Sequence, residues 1–294
     1  KFNNFISRTY INNCQHDVLH DTYYSEDTYK IKSKKKIITI HDLIHEKYPT
    51  YYDYKNLIKV RKKNFKYIDN FICVSESTKE DLLNIYDVPH EKIKVIYHGG
   101  DHLDKIKIDT NKQKFEFEKK ITKPFIFYVG KRYRYKNFLL LINAFKNSSM
   151  LKKNFQIIFF GGEKMNKKEA QIYKNANISN QIIHLNGDDE ILKYLYLNAK
   201  VMVSTSEYEG FGLNVLEALK HDCPVVAKDI KVFRELYQNN ITYFDDEDSL
   251  QYSLEKILSF DNKFRIDQNN LNKKFNWKNA SSEILKVYKI PKSY

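Results

Sequence analysis

Short apolar runs alternate with amphipathic stretches along most of the chain. Lys36-Ile37-Ile38-Thr39-Ile40 is rich in β-branched residues and ends at His41-Asp42, the composition of a buried strand. Asn56 to Tyr67 carries apolar residues at 57, 58, 60 and 65 among lysines, as a surface helix does. Phe71 to Val74 reads as a second strand. Ser75 then opens a helix, with Ser77-Thr78-Lys79-Glu80 as its capping signal. Lys94 to Tyr97 reads as a third strand, closed by Gly99-Gly100. Residues 101–120, DHLDKIKIDTNKQKFEFEKK, are charged without an apolar period and read as a linker between two domains.

A second set of elements follows. The pattern predicts strands at Pro124–Val129, Phe155–Phe160, Gln181–Leu185, Lys200–Val203 and Pro224–Ala227. It predicts helices at Asn137–Phe145, Glu190–Asn198 and Asn214–Lys220. Strands spaced by helices imply parallel sheets covered on both faces. The expected class is therefore α/β, with two Rossmann-like domains facing a cleft. No repeat occurs at the 20–50-residue periods of solenoids.

Composition narrows the function classes. The 294 residues are 42% hydrophobic, a soluble globular balance, and no apolar run approaches the roughly 20 residues that span a bilayer. The first residues, Lys1-Phe2-Asn3-Asn4-Phe5, lack the apolar core of a signal peptide. Cys14, Cys73 and Cys223 are far apart and form no CxxC pair. That argues against a disulfide framework or a zinc site and points to a cytoplasmic setting. The net charge of +13 suggests an anionic partner, such as nucleic acid, a membrane surface or a phosphorylated substrate. A composition biased toward Lys, Asn, Ile and Tyr explains it equally. Between Lys30 and Lys66 the basic residues cluster, at 30, 32, 34, 35, 36, 47, 55, 59, 61, 62, 63 and 66, against acids at 42, 46 and 53.

Three stretches are candidates for chemistry. In STSEYEGFGLNVLEALKHDCPVV, residues 204–226, Glu209 and Glu217 flank the run Gly210-Phe211-Gly212-Leu213. A strand, a glycine-rich turn and a helix start suit a phosphate-bearing ligand, because free N–H groups and the positive dipole end face it. If the ligand were a nucleotide sugar, Glu209 could accept from sugar hydroxyls and Glu217 from ribose hydroxyls. Two solvated glutamates beside a capped helix fit the spacing as well. Gly130-Lys131-Arg132-Tyr133-Arg134-Tyr135-Lys136-Asn137 places four cations in a loop after a strand, suited to a diphosphate, though an ordinary solvated loop reads the same way. His41 and Asp42 end a strand of the first domain. A metal on His41 and His45 would need a helix there, and none is expected.

E-x7-E within EYEGFGLNVLEAL, followed by CPVVA, resembles retaining glycosyltransferases of family 4. ITIHDLIHEKYP at 38–49, FICVSESTKEDLLNIYDVPHEKIKVIYHGGD at 71–101 and FYVGKRYRYKNFLLLINAF at 127–145 resemble the same family in the same order. FNWKNASSEILKVY at 275–288 resembles its closing helix. The resemblance covers nearly the whole chain and implies the GT-B fold. It implies a first, acceptor-side domain over residues 1–108, a nucleotide-sugar-binding domain over 109–274 and a helix over 275–294 that returns to the first domain.

The resemblance also implies roles. Arg132 and Lys136 would bind the donor diphosphate, with Gly130 opening their loop and Lys131 as an alternative ligand. Glu209 would contact the donor sugar, the amides of Gly210, Phe211, Gly212 and Leu213 would hold sugar and phosphate, and Glu217 would hold the ribose. His41, with Asp42 beside it, would contact the donor sugar from the first domain. The family needs neither metal nor cofactor, and its substrate is a UDP- or GDP-linked sugar. The acceptor would be a surface glycan or its lipid-linked precursor, and residues 30–66 would dock on an anionic membrane surface, leaving the protein peripheral to the membrane. Asn214 and Asp222 stand where many relatives carry Pro and Gly. The family's leading strand and glycine-rich loop have no counterpart here, so the first domain is expected to be incomplete. That feature raises a rival reading, a nucleotide-sugar-binding remnant without catalysis. A nucleic-acid-binding protein is a further rival, but no zinc-finger, RNA-recognition or helix-turn-helix signature supports it.

Overall fold

The computed structural model describes residues 16–23, 28–51, 55–108, 116–259 and 265–290. The chain divides into two compact units, and among the described residues each contains one parallel sheet. The first unit comprises Lys1–His98, Glu209–Phe211 and Trp277–Tyr294; the second comprises Gly99–Tyr208 and Gly212–Asn276.

In the first unit the strands are β1 (His16–Asp21), β2 (Ser33–Ile40), β3 (Asn70–Cys73) and β4 (Ile93–Val95), in that spatial order. Successive residues of a strand point to opposite faces, and β2 shows the consequence. Ile38 and Ile40 join Phe65, Phe71, Cys73 and Leu82 in one core cluster. Ile37 joins Ile72, Ile96, Ala280 and Val287 in another. The first face is covered from helices α2 (Lys55–Phe65) and α3 (Glu76–Ile85), after the single turn α1 (Ile44–Lys47). The second is covered by the closing helix α12 (Trp277–Tyr288). Strand β2 begins three residues before the β-branched run, at Ser33 rather than Lys36. Lysines sit on a strand when their stems lie along it and their heads find partners. Lys34 pairs with Asp17 on β1, and Lys36 Nζ donates to Tyr29 O. Strand β1 itself carries four polar or charged positions and only two apolar ones and gave no strand signal.

The second sheet has six strands in the order β10-β9-β8-β5-β6-β7. They are β5 (Phe125–Val129), β6 (Gln156–Phe160), β7 (Ile182–Leu185), β8 (Val201–Ser204), β9 (Val225–Lys228) and β10 (Thr242–Phe244). β6 and β8 are buried along their whole length, as strands covered on both faces are. The accompanying helices are α4 (Leu139–Asn147), α5 (Ser149–Asn154), α6 (Lys167–Asn175), α7 (Asp189–Asn198), α8 (Leu213–Lys220), α9 (Lys231–Tyr237), α10 (Glu247–Ser259) and α11 (Gln268–Lys274). From β5 the chain builds outward to β6 and β7. It then returns to β8 on the other side of β5 and builds outward again. The order reverses between β5 and β8, and in such sheets ligands bind outside the carboxyl ends of the strands at that reversal. The linker expected over 101–120 holds a turn at 102–105 and a 3-10 segment at Glu116–Lys120, with 109–115 outside the described residues.

Candidate functional site

The loop after β5 begins at Gly130, whose N–H donates to Phe160 O over 2.8 Å. Its first cation, Lys131, is exposed. Tyr128 OH reaches back to donate to Lys131 O (3.2 Å) and Lys136 O (3.0 Å). Thr205 Oγ1, just past β8, also donates to Lys136 O. Asn137 adopts a left-handed conformation (φ 43°) and its Nδ2 donates to Glu207 Oε1 over 2.8 Å, while Glu207 N–H donates to Tyr135 O at the same distance. The loops that leave β5 and β8 are therefore stitched to one another at the sheet's reversal point.

Arg132, one of the residues expected at a diphosphate, has a side chain only 2% exposed that turns into the unit. Nε and Nη2 engage the fully buried carboxylate of Glu169, Nη1 donates to Gly161 O (3.2 Å), and Nη2 donates to Glu163 O. A buried guanidinium is tolerated only when its donors are used in this way. Burial pushes the Glu169 carboxyl up, but the Arg132 hydrogen bond and the Asn166 amide outweigh it and hold the group below its usual range. Glu169 also closes a capping box with Asn166 at the start of α6. The exposed cations that follow Gly130 are thus Lys131 and Arg134, with Lys136 half-buried.

Past β8, Gly212 caps α8 in the left-handed region (φ 80°), and a Cβ there would lie 2.4 Å from the Phe233 ring. Tyr237 OH donates to Gly212 O over 2.9 Å. Leu213 is the first residue of α8 and is partly exposed; the leading N–H groups of a helix have no intrahelical partner. Glu217, on the second turn, is 8% exposed. Its Oε2 accepts from Tyr196 OH (2.8 Å), and its Oε1 lies 3.4 Å from His102 Nε2. Burial raises its pKa, against the Tyr196 hydrogen bond and His102. Lys193 Nζ donates to the carbonyls of Leu103 (2.9 Å), Asp104 (3.3 Å) and Ile106 (2.8 Å), which fixes the turn that carries His102.

Within the first unit, His41 follows β2 and precedes α1, so His41 and His45 do not share a helix face. Asp42 Oδ1 accepts from Ile44 N–H (3.0 Å) and organises that turn. His41 Nδ1 faces His98 Nε2 at 3.3 Å, and His41 Nε2 donates to Thr22 O over 2.8 Å. The segment Glu209–Phe211 belongs to this unit. Gly210 O accepts from Ser75 Oγ (2.8 Å) and Thr78 Oγ1 (3.2 Å). A Cβ on Gly210 would fall 1.7 Å from His41 O, so only glycine fits. Phe211 is buried against His98, with ring centroids 5.1 Å apart, and His98 lies 5.4 Å from the Trp277 ring. Burial, and then the neighbouring His41, lowers the His98 pKa to about 4. Glu209 is half-buried beside this cluster.

Two groups of sequence candidates emerge, each within one unit. Gly130, Lys131, Lys136, Gly212, Leu213 and Glu217 lie in the second; His41, Asp42, Glu209, Gly210 and Phe211 lie in the first. Sequence reasoning did not find His98, His102, Tyr196, Ser75 or Thr78 as site residues. His98 had one signal, its place at the end of the strand-like run Lys94–Tyr97 before Gly99-Gly100.

A parallel six-stranded sheet with a cationic loop and a helix start at its reversal point is a Rossmann-type arrangement. The family description "Glycosyl transferases group 1" matches residues 109–275, and "Glycosyltransferase Family 4" matches residues 3–102. The chain belongs to the group 1 glycosyl transferases. It is 30% identical over 238 residues to an uncharacterized glycosyltransferase of Methanocaldococcus jannaschii, covering 74% of this chain and 59% of that protein. It is 29% identical over 234 residues to the O-antigen chain mannosyltransferase RfbU of Salmonella typhimurium, covering 76% and 61%. The chain thus spans about three-fifths of the length of these relatives. Among solved structures, Anabaena HepE in complex with UDP-glucose superposes with a TM-score of 0.76 at 16% identity, over 92% of this chain and 78% of HepE. WaaG, a glycosyltransferase involved in lipopolysaccharide biosynthesis, superposes with a TM-score of 0.69 at 14% identity, over 100% of this chain and 81% of WaaG. These likenesses define the fold as GT-B.

Proposed function

We propose that the protein transfers a sugar from a UDP- or GDP-linked donor to a glycan or lipid-linked glycan acceptor in surface polysaccharide biosynthesis, with retention of anomeric configuration. The observation that carries this reading is the convergence, at one reversal point of the second sheet, of exposed Lys131, the pinned Lys136 and the start of α8. The names of the relatives, an O-antigen mannosyltransferase among them, favour a polysaccharide acceptor.

Lys131 and Lys136 take the donor diphosphate, and the leading amides of α8 add fixed dipoles. As the glycosidic bond breaks, negative charge grows on the departing phosphate, and preorganised cations and N–H groups stabilise it most where water is excluded. Glu217 accepts from the ribose hydroxyls, with Tyr196 and His102 holding its carboxylate. In the first unit, Glu209 accepts from the donor sugar's hydroxyls, and the His41 Nε2–H donates to that sugar in place of Thr22 O. The acceptor hydroxyl attacks the anomeric carbon on the face the phosphate leaves, and a phosphate oxygen takes its proton. No metal is required, so chelation with EDTA leaves turnover unchanged.

Binding and hydrolysis across a panel of UDP- and GDP-sugars, with Glu209→Ala in parallel, test this reading. Turnover of one donor that is lost in the variant supports it. Binding without turnover by any donor leaves a sugar-nucleotide binder and overturns the transfer step. The exposed lysines at 59, 62, 63 and 66 on and after α2 supply an anionic-membrane contact, each worth about 1 kcal/mol near the surface. Flotation with vesicles that shows no dependence on anionic lipid removes that part.

A further inference from the structure

His41 is held at both ring nitrogens, and the two contacts differ in kind. The Nε2 contact lies at the exposed edge of the ring and ends on a carbonyl, Thr22 O. A carbonyl only accepts, so Nε2 carries the proton. The Nδ1 contact is partly buried and ends on His98 Nε2. With its proton on Nε2, the neutral His41 ring offers only a lone pair at Nδ1, and the group that faces it must donate. His98 is built to do so. Its ring is wedged among His41, Phe211 and Trp277, with centroid separations of 5.4, 5.1 and 5.4 Å. The third histidine nearby, His20, does not compete, because its nitrogens face Tyr288 OH (2.6 Å) and Thr39 Oγ1 (2.8 Å). Protonating His41 and His98 together would set two cations 3.3 Å apart, so the pair favours one shared neutral arrangement.

We propose that His98 is a positioning residue that donates to His41 Nδ1, and so keeps the His41 proton on Nε2, where it faces the donor sugar, while its ring backs Phe211. This rests on the assignment of His41 to the donor sugar given above. A partner behind a working imidazole sets its tautomer through the ring's other nitrogen.

The test is nitrogen NMR of the full chain with labelled histidine, joined to steady-state kinetics. In the wild type, His41 shows a single Nε2–H tautomer with Nδ1 as a hydrogen-bonded acceptor; an Nδ1–H tautomer there overturns the proposal before any variant is made. His98→Phe keeps the ring contacts but removes the donor, and His98→Gln restores a donor. The phenylalanine variant shifts the His41 Nδ1 resonance and populates the second tautomer. It lowers kcat about tenfold with donor KM within about twofold, and the glutamine variant recovers both signals. Unchanged His41 resonances in His98→Phe overturn the proposal. A His41→Ala variant with full turnover instead overturns the assignment of His41 to the sugar, and leaves the resonances to judge His98 alone.

Discussion

The loop after β5 in the second unit and the turn after β2 in the first both leave a parallel strand at its carboxyl end, yet they are held by opposite means. The first is anchored by charge: Arg132 is driven inward onto Glu169 and two carbonyls, while hydroxyls of Tyr128 and Thr205 pin Lys136 O. The second is anchored by neutral groups: His41, Phe211 and Trp277 pack around the His98 ring, and Ser75 and Thr78 hold the Gly210 carbonyl. In the loop after β5 the exposed cation, Lys131, is not the cation that fixes the loop, Arg132, whereas the turn after β2 is fixed by neutral donors and a close backbone approach.

The sharpest way to break the comparison is at Arg132 and its neighbour. Arg132→Ala leaves Glu169 buried without its cation and costs about 3–5 kcal/mol, read by urea denaturation. A folded, stable Arg132→Ala protein that has lost only donor binding would return Arg132 to the diphosphate. Gly210→Ala forces a Cβ against His41 O, and backbone cannot yield as a flexible side chain would. The expected loss is about 1–3 kcal/mol, with turnover lost as well; wild-type behaviour in melting and turnover would mean the segment is not seated as described.

Acid tests both anchors. His98 in the first unit and His184, on β7 of the second and stacked on Phe159, are kept neutral by burial, each with a pKa lowered to about 4. As pH falls below 6.5 the unfolded chain takes up protons that the native histidines refuse until about pH 4. Stability is therefore lost through that window, by an amount on the order of 1–2 kcal/mol after allowance for partial exposure. Glu169, held below its ordinary range, supports the fold above that range and gives way only at lower pH. A melting temperature flat from pH 7 to 4.5 contradicts the buried-histidine account.

Lys131→Ala raises donor KM about tenfold and leaves the melting temperature unchanged, the reverse of its neighbour's effect. Smallest is Ser75→Ala, which removes the N-cap of α3, where Thr78 N–H is accepted over 3.0 Å, together with one donor to Gly210 O. Its expected cost is about 1 kcal/mol by denaturation.

Much of this architecture was legible in the residues. Phe125–Val129, Gln156–Phe160 and Val201–Ser204 are apolar runs bounded by Gly, Pro or polar turns, and burial on both faces leaves few other compositions open to them. The helix opening at Ser75 was legible, but its cap is Ser75 itself, whose hydroxyl accepts from Thr78 N–H, and not the expected signal at Ser77-Thr78-Lys79-Glu80, which lies inside the helix. Strands β1 and β10 were not legible: one is largely polar, the other is three residues long, and each is a strand only because a neighbour supplies the ladder. Helices α6 and α10 escaped despite Asn166-x-x-Glu169 in the first case, because the apolar stripe between lysines is thin.

At the site the division is similar. The sequence by itself determined which residue types are available: cations after Gly130, glutamates around Gly210-Phe211-Gly212, and a histidine after Thr39-Ile40. Only the tertiary structure decided which of them face outward. Lys131 and Arg132 are adjacent and both cationic, and nothing local separates them. Glu169, thirty-seven residues away on α6, draws the arginine inward because a buried carboxylate must be paired. His98 is likewise an ordinary strand-end histidine until folding sets it 3.3 Å from His41, fifty-seven residues earlier. Spacing along a chain fixes periodicity and caps, whereas the pairing of a buried charge or the tautomer of a ring depends on groups that only the folded chain brings within hydrogen-bond reach.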